Sequence, residues 1–230
     1  MARPAVKICG LTQVDQAVAL AELGVEALGF ICVPQSPRYR PAAVFRQITL
    51  ALAGWQGRRI GVFANADLDT ILATVDTAGL NGVQLHGSEP PAFCQHLHRA
   101  RPDLILIKAL RVRDSLTLRQ ATEYLGVVGT LLLDAYHPDQ LGGTGLTLNW
   151  ADLREFRPAA PWWLAGGLTP ENCGQAVQLA RPQGVDLSSG VERQPGDKDI
   201  GRVRDLLRNL ERTTEAAQEA VEGQGIGEMV

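Results

Sequence analysis

Short apolar runs that do not alternate with polar residues recur along the chain, and such runs predict strands that are buried on both faces. Leu131–Leu133 is typical of them. Between the runs, apolar residues recur at the spacing of an amphipathic helix, as in Leu68, Ile71 and Val75. The pattern predicts strands at about Val6–Gly10, Ala27–Ile31, Arg59–Phe63, Gly82–His86, Leu104–Ala109, Thr130–Asp134, Trp162–Ala165 and Gly184–Leu187.

Helix-start signals lie between these predicted strands. Thr12, followed by Asp15, is expected to cap the first helix, and Asp67 is expected to cap a later one. Thr169-Pro170-Glu171 is a further start signal, because proline favours the first helical turn. The last helix carries an apolar stripe from Ile200 to Leu210, so that about eight helices alternate with the strands.

This alternation requires parallel strands joined by right-handed crossovers. Eight strand–helix units in about 210 residues favour a single α/β domain, a closed (β/α)8 TIM barrel with outer helices, which we assign to residues 1–212. An open doubly wound sheet is the alternative, although its usual Gly-x-Gly-x-x-Gly turn is absent after the first strand. Residues 213–230 carry few large apolar side chains, and we expect them to form a poorly ordered tail.

Composition excludes several functional classes. The chain has 230 residues and a net charge of −3, so nothing favours binding to nucleic acid or to an anionic membrane. Its apolar runs fall short of the ~18–20 residues of a membrane span, and we find no signal-peptide block. The scattered cysteines lack metal-ligand spacing and favour free thiols in a reducing cytoplasm; they are Cys9, Cys32, Cys94 and Cys173.

Three loops after the last predicted strands share a glycine- and serine-rich character. In a TIM barrel these loops belong to the active face, where backbone N–H groups and hydroxyls can converge on one phosphate. Each loop alone would be read as an ordinary turn, whereas three in succession predict a phosphate site. Its expected residues are Gly143, Thr144, Gly145, Gly166, Gly167, Ser188, Ser189 and Gly190.

Chemically reactive side chains end several strands at the same face. Cys9, His86, Asp134 and Asp186 hold such positions, and Arg38 lies in a proline-rich loop. Each has an ordinary interpretation: a buried thiol packs as a small apolar group, an aspartate caps a helix and an arginine is solvated. The convergence of a thiol, an acid and an arginine beside a phosphate site favours a functional role.

Taken in order, these motifs resemble the phosphoribosylanthranilate isomerase family of tryptophan biosynthesis. The resemblance runs without a gap from about Val6 to Leu210, with a departure at Leu148-Asn149-Trp150, where the family usually has Phe-Asp-Trp. The segments that carry it are Lys7–Thr12, Ser36–Arg38, Gly61–Phe63, Val83–Gly87, Lys108–Ala109, Leu133–Asp134, Gly142–Gly145, Leu164–Asn172 and Val185–Glu192.

The resemblance implies an Amadori rearrangement of N-(5-phosphoribosyl)anthranilate that needs an acid and a base but no metal or redox cofactor. It implies Asp134 as the general acid and Cys9 as the general base. Arg38 would bind the anthranilate carboxylate, to which a planar guanidinium is matched. His86 and Asp186 would orient Arg38 or bind the ribose hydroxyls.

The two proton-transfer roles make opposite demands. An aspartate acts as an acid only if burial or a nearby phosphate keeps it protonated. A thiol with the reference pKa of about 8.5 is only a few per cent ionised at neutral pH. Lys7 could contact Cys9 and favour its thiolate, but only if both side chains face the barrel interior.

Rival functions on the same scaffold remain open. A phosphosugar isomerase of histidine synthesis is expected to use two aspartates and two phosphate sites, whereas Cys9 ends the first strand here. Indole-glycerol-phosphate synthase is expected to use a catalytic lysine, for which Lys108 is the candidate, although the surrounding motifs do not match. A non-catalytic barrel that senses a phosphorylated metabolite is the third alternative. For any of these we expect a small phosphosugar ligand, a monomer or homodimer, and no nucleic-acid or membrane partner.

Overall fold

The chain forms a closed barrel of eight parallel strands, paired in chain order. The computed structural model describes residues 3–112, 115–135 and 150–225. Strand β8 closes on β1, with Lys7 opposite Asp186. The predicted TIM barrel is therefore confirmed, and the open sheet is excluded. The strands are β1 (Ala5–Cys9), β2 (Ala27–Ile31), β3 (Arg58–Phe63), β4 (Gly82–Leu85), β5 (Ile105–Val112), β6 (Thr130–Ala135), β7 (Trp162–Ala165) and β8 (Gly184–Leu187).

Helices surround the barrel, and a short antiparallel hairpin follows β8. Within the described residues, the crossover from β6 to β7 contains the 3₁₀ helix Trp150–Glu155, and another 3₁₀ helix spans Ser189–Val191. None of the described helices has the length and apolar character of a membrane span. The α-helices are α1 (Val14–Glu22), α2 (Ala42–Ala51), α3 (Leu68–Ala78), α4 (Pro91–Ala100), α5 (Ser115–Ala121), α6 (Cys173–Ala180) and α7 (Ile200–Gly225), and the hairpin strands are β9 (Glu192–Gln194) and β10 (Asp197–Lys198).

The two predicted helix caps have different outcomes. Asp67 accepts a hydrogen bond from the Thr70 N–H at 2.7 Å and caps α3 as predicted. The predicted cap at Thr12 is wrong, because α1 begins at Val14 and has no side-chain cap. The Thr12 hydroxyl instead donates to the Gly196 carbonyl at 2.5 Å, which binds the β9–β10 hairpin to the loop after β1.

Helix α7 continues beyond the expected end of the barrel domain. The sequence predicted a poorly ordered tail from residue 213, whereas the structure is helical to Gly225. The glutamate-, alanine- and glutamine-rich composition of this segment suits a helix. The hydroxyls of Thr213 and Thr214 also bond the carbonyls of Asn209 and Leu210 one turn earlier. The domain boundary at residue 212 stays a prediction, and residues 226–230 lie outside the described chain.

The barrel interior changes from apolar to polar along the strands. Away from the carboxyl ends of the strands, Trp163 fills the interior. Glycine is required at position 184 on the neighbouring strand, because a Cβ there would lie 2.5 Å from the indole ring. Nearer the carboxyl ends, the fully buried positions include Lys7 and Gln84, which shows that the core becomes a site for polar chemistry. The apolar part comprises Ala27, Ile60, Ile107, Ala109, Leu132, Trp163 and Ala165.

Lys108 lies outside this interior, because its neighbours Ile107 and Ala109 face inward and side chains alternate along a strand. Its ammonium pairs with Glu89 at 2.8 Å and donates to the Gly87 carbonyl at 2.7 Å. Both charged side chains are almost fully buried, at 1% and 3% exposure. The pair fastens the loop after β4 to β5 and so supports that side of the barrel mouth.

We predict that Glu89→Gln lowers the free energy of unfolding by about 3 kcal/mol or more, because it leaves the Lys108 charge buried without an anion. Urea unfolding monitored by tryptophan fluorescence measures the change. Asp76→Asn removes one partner of the exposed Arg101–Asp76 pair and should alter stability little. Equal effects of the two substitutions would contradict the role assigned to the buried pair.

Candidate active site

A pocket of about 280 Å³ opens at the carboxyl ends of the barrel strands. All the predicted site residues within the described chain line it. These are Cys9, Arg38, His86, Asp134, Gly166, Gly167, Asp186, Ser188, Ser189 and Gly190. Gly143, Thr144 and Gly145 lie outside the described residues, so their part in phosphate binding stays a prediction.

Cys9 ends β1 and is only 6% exposed. Lys7, two residues earlier on the same inner face, pairs with Asp186 at 2.8 Å and acts electrostatically on the thiol. Both side chains therefore face the barrel interior, which is the condition for an interaction between them. On β2, Gly29 makes room for the sulfur, since a Cβ there would lie 2.6 Å from Sγ.

The charges around Cys9 act against one another. Burial raises the pKa of the Cys9 thiol above its ordinary value, the Asp186 carboxylate raises it further, and the Lys7 and Lys198 ammonium groups lower it. Cys9 is therefore a neutral thiol in the resting pocket at neutral pH. Burial also raises the pKa of Asp186, although Lys7 opposes this.

His86 links Asp134 to the polar interior. Its Nε2 lies 3.3 Å from Asp134 Oδ2, and its Nδ1 lies 3.2 Å from the Gln84 amide nitrogen. In the tautomer in which Nδ1 accepts from that amide nitrogen, the Nε2–H group faces Asp134. His86 is thus placed to orient the Asp134 carboxyl group.

The sequence left open whether His86 or Asp186 orients Arg38. In the structure, Glu192 holds Arg38 instead. Its Nη2 donates to Glu192 Oε2 at 2.6 Å, and its Nε lies 2.9 Å from Oε1. On its other side, Glu192 pairs with the buried Lys198 at 2.6 Å. Sequence reasoning assigned no role to Glu192 or Lys198, because Arg38 and Glu192 are separated by 154 residues and share no local pattern.

The glycine and serine loops after β7 and β8 form one wall of the pocket. Gly166 and Gly167 have φ values of 96° and 63°, in the region that glycine adopts without strain. Gly190 packs directly on the neighbouring loop, since a Cβ would lie 1.9 Å from the Leu168 carbonyl oxygen. The first N–H groups of the 3₁₀ helix Ser189–Val191 have no intrahelical acceptor, so they suit an anion.

Asp186 offers a further polar contact in the pocket. Its Oδ2 accepts from Lys7, while Oδ1 is buried and has no hydrogen-bond partner within the part of the chain that is described. A buried oxygen of this kind is stabilised when a ligand hydroxyl or N–H donates to it. This geometry is consistent with the predicted contact to a ribose hydroxyl.

The fold and the pocket together define a (β/α)8-barrel protein with a thiol, a carboxyl group and an anion-binding wall at the barrel mouth. The sequence model of the N-(5'-phosphoribosyl)anthranilate (PRA) isomerase family matches residues 6–209. The chain belongs to this family.

Individual relatives agree with this assignment. An N-(5'-phosphoribosyl)anthranilate isomerase of Trichormus variabilis is 56% identical over 207 residues, which cover 89% of this chain and 97% of the relative. One from Thermosynechococcus vestitus is 52% identical, covering 91% of this chain and 90% of the relative. The crystal structure of the Thermotoga maritima phosphoribosyl anthranilate isomerase has a TM-score of 0.79 at 36% identity, covering 90% of this chain and 98% of that one.

We predict that replacing Lys7 and replacing Asp186 shift the pKa of the Cys9 thiol in opposite directions. Lys7→Met should raise the pKa of the thiol, because it removes a nearby cation, whereas Asp186→Asn should lower it by removing an anion. The pH dependence of Cys9 alkylation, with the site identified by mass spectrometry, reports both changes. Shifts in the same direction would show that the pair acts only through packing.

Proposed function

We propose that the protein is an N-(5'-phosphoribosyl)anthranilate isomerase, which converts this aminoaldose to 1-(2-carboxyphenylamino)-1-deoxyribulose 5-phosphate in L-tryptophan biosynthesis. The observation that carries the proposal is that Cys9 and Asp134 line one pocket together with the loops at Gly166-Gly167 and Ser188–Gly190. A related phosphoribosyl anthranilate isomerase, with a TM-score of 0.78 and 33% identity, was crystallised with the reduced form of this product.

In the proposed reaction, the substrate phosphate binds the glycine and serine loops, including Gly143–Gly145, and its carboxylate binds Arg38. Asp134 donates a proton to the ribose ring oxygen as the bond from that oxygen to C1′ breaks, which gives a Schiff base. Cys9 then removes the proton from C2′. The resulting enolamine tautomerises to the aminoketose, so the step is an isomerisation that needs no metal, redox or other cofactor.

Each residue must change its protonation during this cycle. Cys9 starts as a neutral thiol, and the Lys7 ammonium below it favours the thiolate that accepts the C2′ proton. Asp134 must carry a proton to act as the acid. His86 holds that carboxyl group in place, and Asp186 is free to accept from a ribose hydroxyl.

The rival functions have less support. Lys108 is paired with Glu89 behind the barrel wall and does not line the pocket, which counts against the lysine-dependent synthase. The thiol at the end of β1 counts against a two-aspartate histidine-pathway isomerase. A non-catalytic sensor would have no need for an acid and a base in one pocket.

We also propose a cytoplasmic enzyme that acts as a monomer or homodimer and that binds a small phosphosugar but neither nucleic acid nor a membrane. All four cysteines are free thiols, as a reducing compartment requires. A structural relative from Thermotoga maritima, with a TM-score of 0.75 and 34% identity, is described as generated monomers of a dimeric phosphoribosylanthranilate isomerase.

Product formation tests the proposed function directly. Purified protein is mixed with freshly made phosphoribosylanthranilate, and the carboxyphenylamino-deoxyribulose phosphate is quantified by chromatography against a control without enzyme. Rapid, protein-dependent product formation is expected. A folded protein that binds phosphate but forms no product would favour a histidine-pathway substrate or the sensor.

We predict that Asp134→Asn lowers kcat by about 10²–10⁴-fold, because an amide cannot protonate the ring oxygen. Steady-state kinetics and calorimetric binding of the reduced product analogue measure turnover and affinity separately, and affinity should persist. Asp69→Asn, on the exposed face of α3, is the matched control. Turnover by Asp134→Asn at the rate of the parent enzyme would remove Asp134 from the mechanism.

We predict that Cys9→Ala lowers kcat far more than Cys32→Ala does. Cys32 is a neighbouring thiol at the end of β2 that does not line the pocket, and burial raises its pKa to about 12. It therefore controls for the loss of a thiol near the site. Equal activity of the two variants, measured by the same product assay, would make Cys9 a packing residue only.

A further inference from the structure

Two charged side chains, Glu192 and Lys198, lie directly behind the pocket wall. They face each other across the β9–β10 hairpin, with side-chain exposures of 4% and 0%, and neither lines the pocket. Charged groups buried this deeply are costly unless their partners stabilise them. The groups that they bind therefore indicate what they do.

The Glu192 carboxylate has several donors from separate parts of the chain. It accepts from Arg38 on one side, from Lys198 on the other, and from the Gly196 N–H at 3.0 Å. Although burial opposes ionisation, the hydrogen bonds from Arg38 and Lys198 hold the pKa of Glu192 below its usual value. Glu192 is thus a fixed anion between two cations, and its oxygens are already occupied.

Lys198 extends this contact to the backbone of the proposed general base. Its Nζ donates to the Cys9 carbonyl as well as to Glu192. The Ser188 hydroxyl donates to the same carbonyl at 3.0 Å. A continuous path of charged hydrogen bonds therefore runs from Arg38 through Glu192 and Lys198 to Cys9.

The hydrogen bonds to Glu192 fix the orientation of the Arg38 guanidinium. The guanidinium uses Nε and Nη2 for Glu192, and its stem packs over Gly10, where a Cβ would lie 2.5 Å from Arg38 Cδ. Its Nη1 has no acceptor within the described residues. One edge of the planar group is therefore anchored, and a terminal nitrogen remains for a planar carboxylate in the pocket.

We propose that Glu192 and Lys198 are positioning residues, with Glu192 orienting Arg38 for the substrate's aromatic carboxylate and Lys198 fixing the Cys9 backbone relative to it. This inference rests on the proposed function of the pocket. It makes Glu192, which touches no substrate, a determinant of the preference for a carboxylated over an uncarboxylated ligand.

The hairpin also has attachments that do not involve the Glu192 carboxylate. The Thr12 hydroxyl donates to the Gly196 carbonyl, and Gln16 bonds both the Asp197 carboxylate and the Lys198 backbone N–H at 2.7 and 2.8 Å. Removing the charge of Glu192 leaves Lys198 buried without its anion and lowers stability, but these attachments should keep the hairpin in place.

The test compares two ligands by calorimetry: reduced carboxyphenylamino-deoxyribulose 5-phosphate and its phenylamino counterpart, which lacks the carboxyl group. We predict that Glu192→Gln lowers the preference for the carboxylated ligand by roughly tenfold to hundredfold, the value of one or two hydrogen bonds to a charged group. Affinity for the uncarboxylated ligand should not change. An equal loss of affinity for both ligands, or no change in either affinity, would overturn the proposal for Glu192.

Lys198→Met tests the contact between Lys198 and the Cys9 backbone carbonyl. The variant keeps the Arg38–Glu192 contact, so it should retain the ligand preference. Its kcat should fall by up to about a hundredfold, because Cys9 loses both a bond to its backbone carbonyl and a cation that lowers the pKa of its thiol. A kcat equal to that of the parent enzyme would overturn the role of Lys198. Arg193→Gln removes the exposed Arg193–Asp197 pair and a 3.3 Å bond to the Lys198 backbone carbonyl, but it leaves the Lys198 ammonium in place. It is the matched control and should change neither quantity.

The remaining outcomes are also decisive. If the unsubstituted protein binds neither ligand, the proposed function fails, and the positioning roles that rest on it fail with it. If circular dichroism shows that Glu192→Gln is unfolded, Glu192→Asp replaces it, since its shorter carboxylate cannot reach both cations and should lose part of the preference. Retention of the full preference by a folded Glu192→Asp variant would overturn the proposal.

Discussion

The buried pair between Lys7 and Asp186 holds the centre of this structure together. It joins the first and last barrel strands at opposing register positions, and it does so inside the barrel, where an unpaired charge would be strongly destabilising. The same ammonium lies beneath the Cys9 thiol, while the same carboxylate presents its second oxygen to the pocket. One interaction thus closes the barrel and sets the electrostatics of the proposed base.

Much of the fold follows from local sequence pattern. β2 and β7 begin and end at their predicted residues, and the Asp67 cap forms because its signal lies within one turn of the chain. Thr12 carried an equally good local signal, yet its hydroxyl bonds Gly196, which is 184 residues away. A pattern confined to neighbouring residues cannot report a competitor that only the folded chain brings close.

In the site, too, some residues could be predicted from the sequence pattern and others could not. The strand-end residues belong to the first group, and the residues that support them belong to the second. Cys9, His86, Asp134 and Asp186 could be predicted because strand ends of a parallel barrel meet at one face. The inward direction of Lys7 followed from alternation once the barrel was closed. Glu192 and Lys198 could not be assigned, because a two-stranded hairpin carries no periodic pattern and its charged residues resemble those of a solvated turn.

The bonds that fix Cys9 also determine when the site can form. Its strand pairs through Lys7 with Asp186, and its backbone carbonyl accepts from Ser188 and Lys198. These partners lie 179 to 189 residues later in the chain. During synthesis, β1 therefore has an unpaired edge until nearly the whole barrel has been made, and closure requires contacts of very high sequence separation. The thiol has its full set of neighbours only when β8 and the β9–β10 hairpin have joined β1, so a chain that lacks these last elements has no complete site.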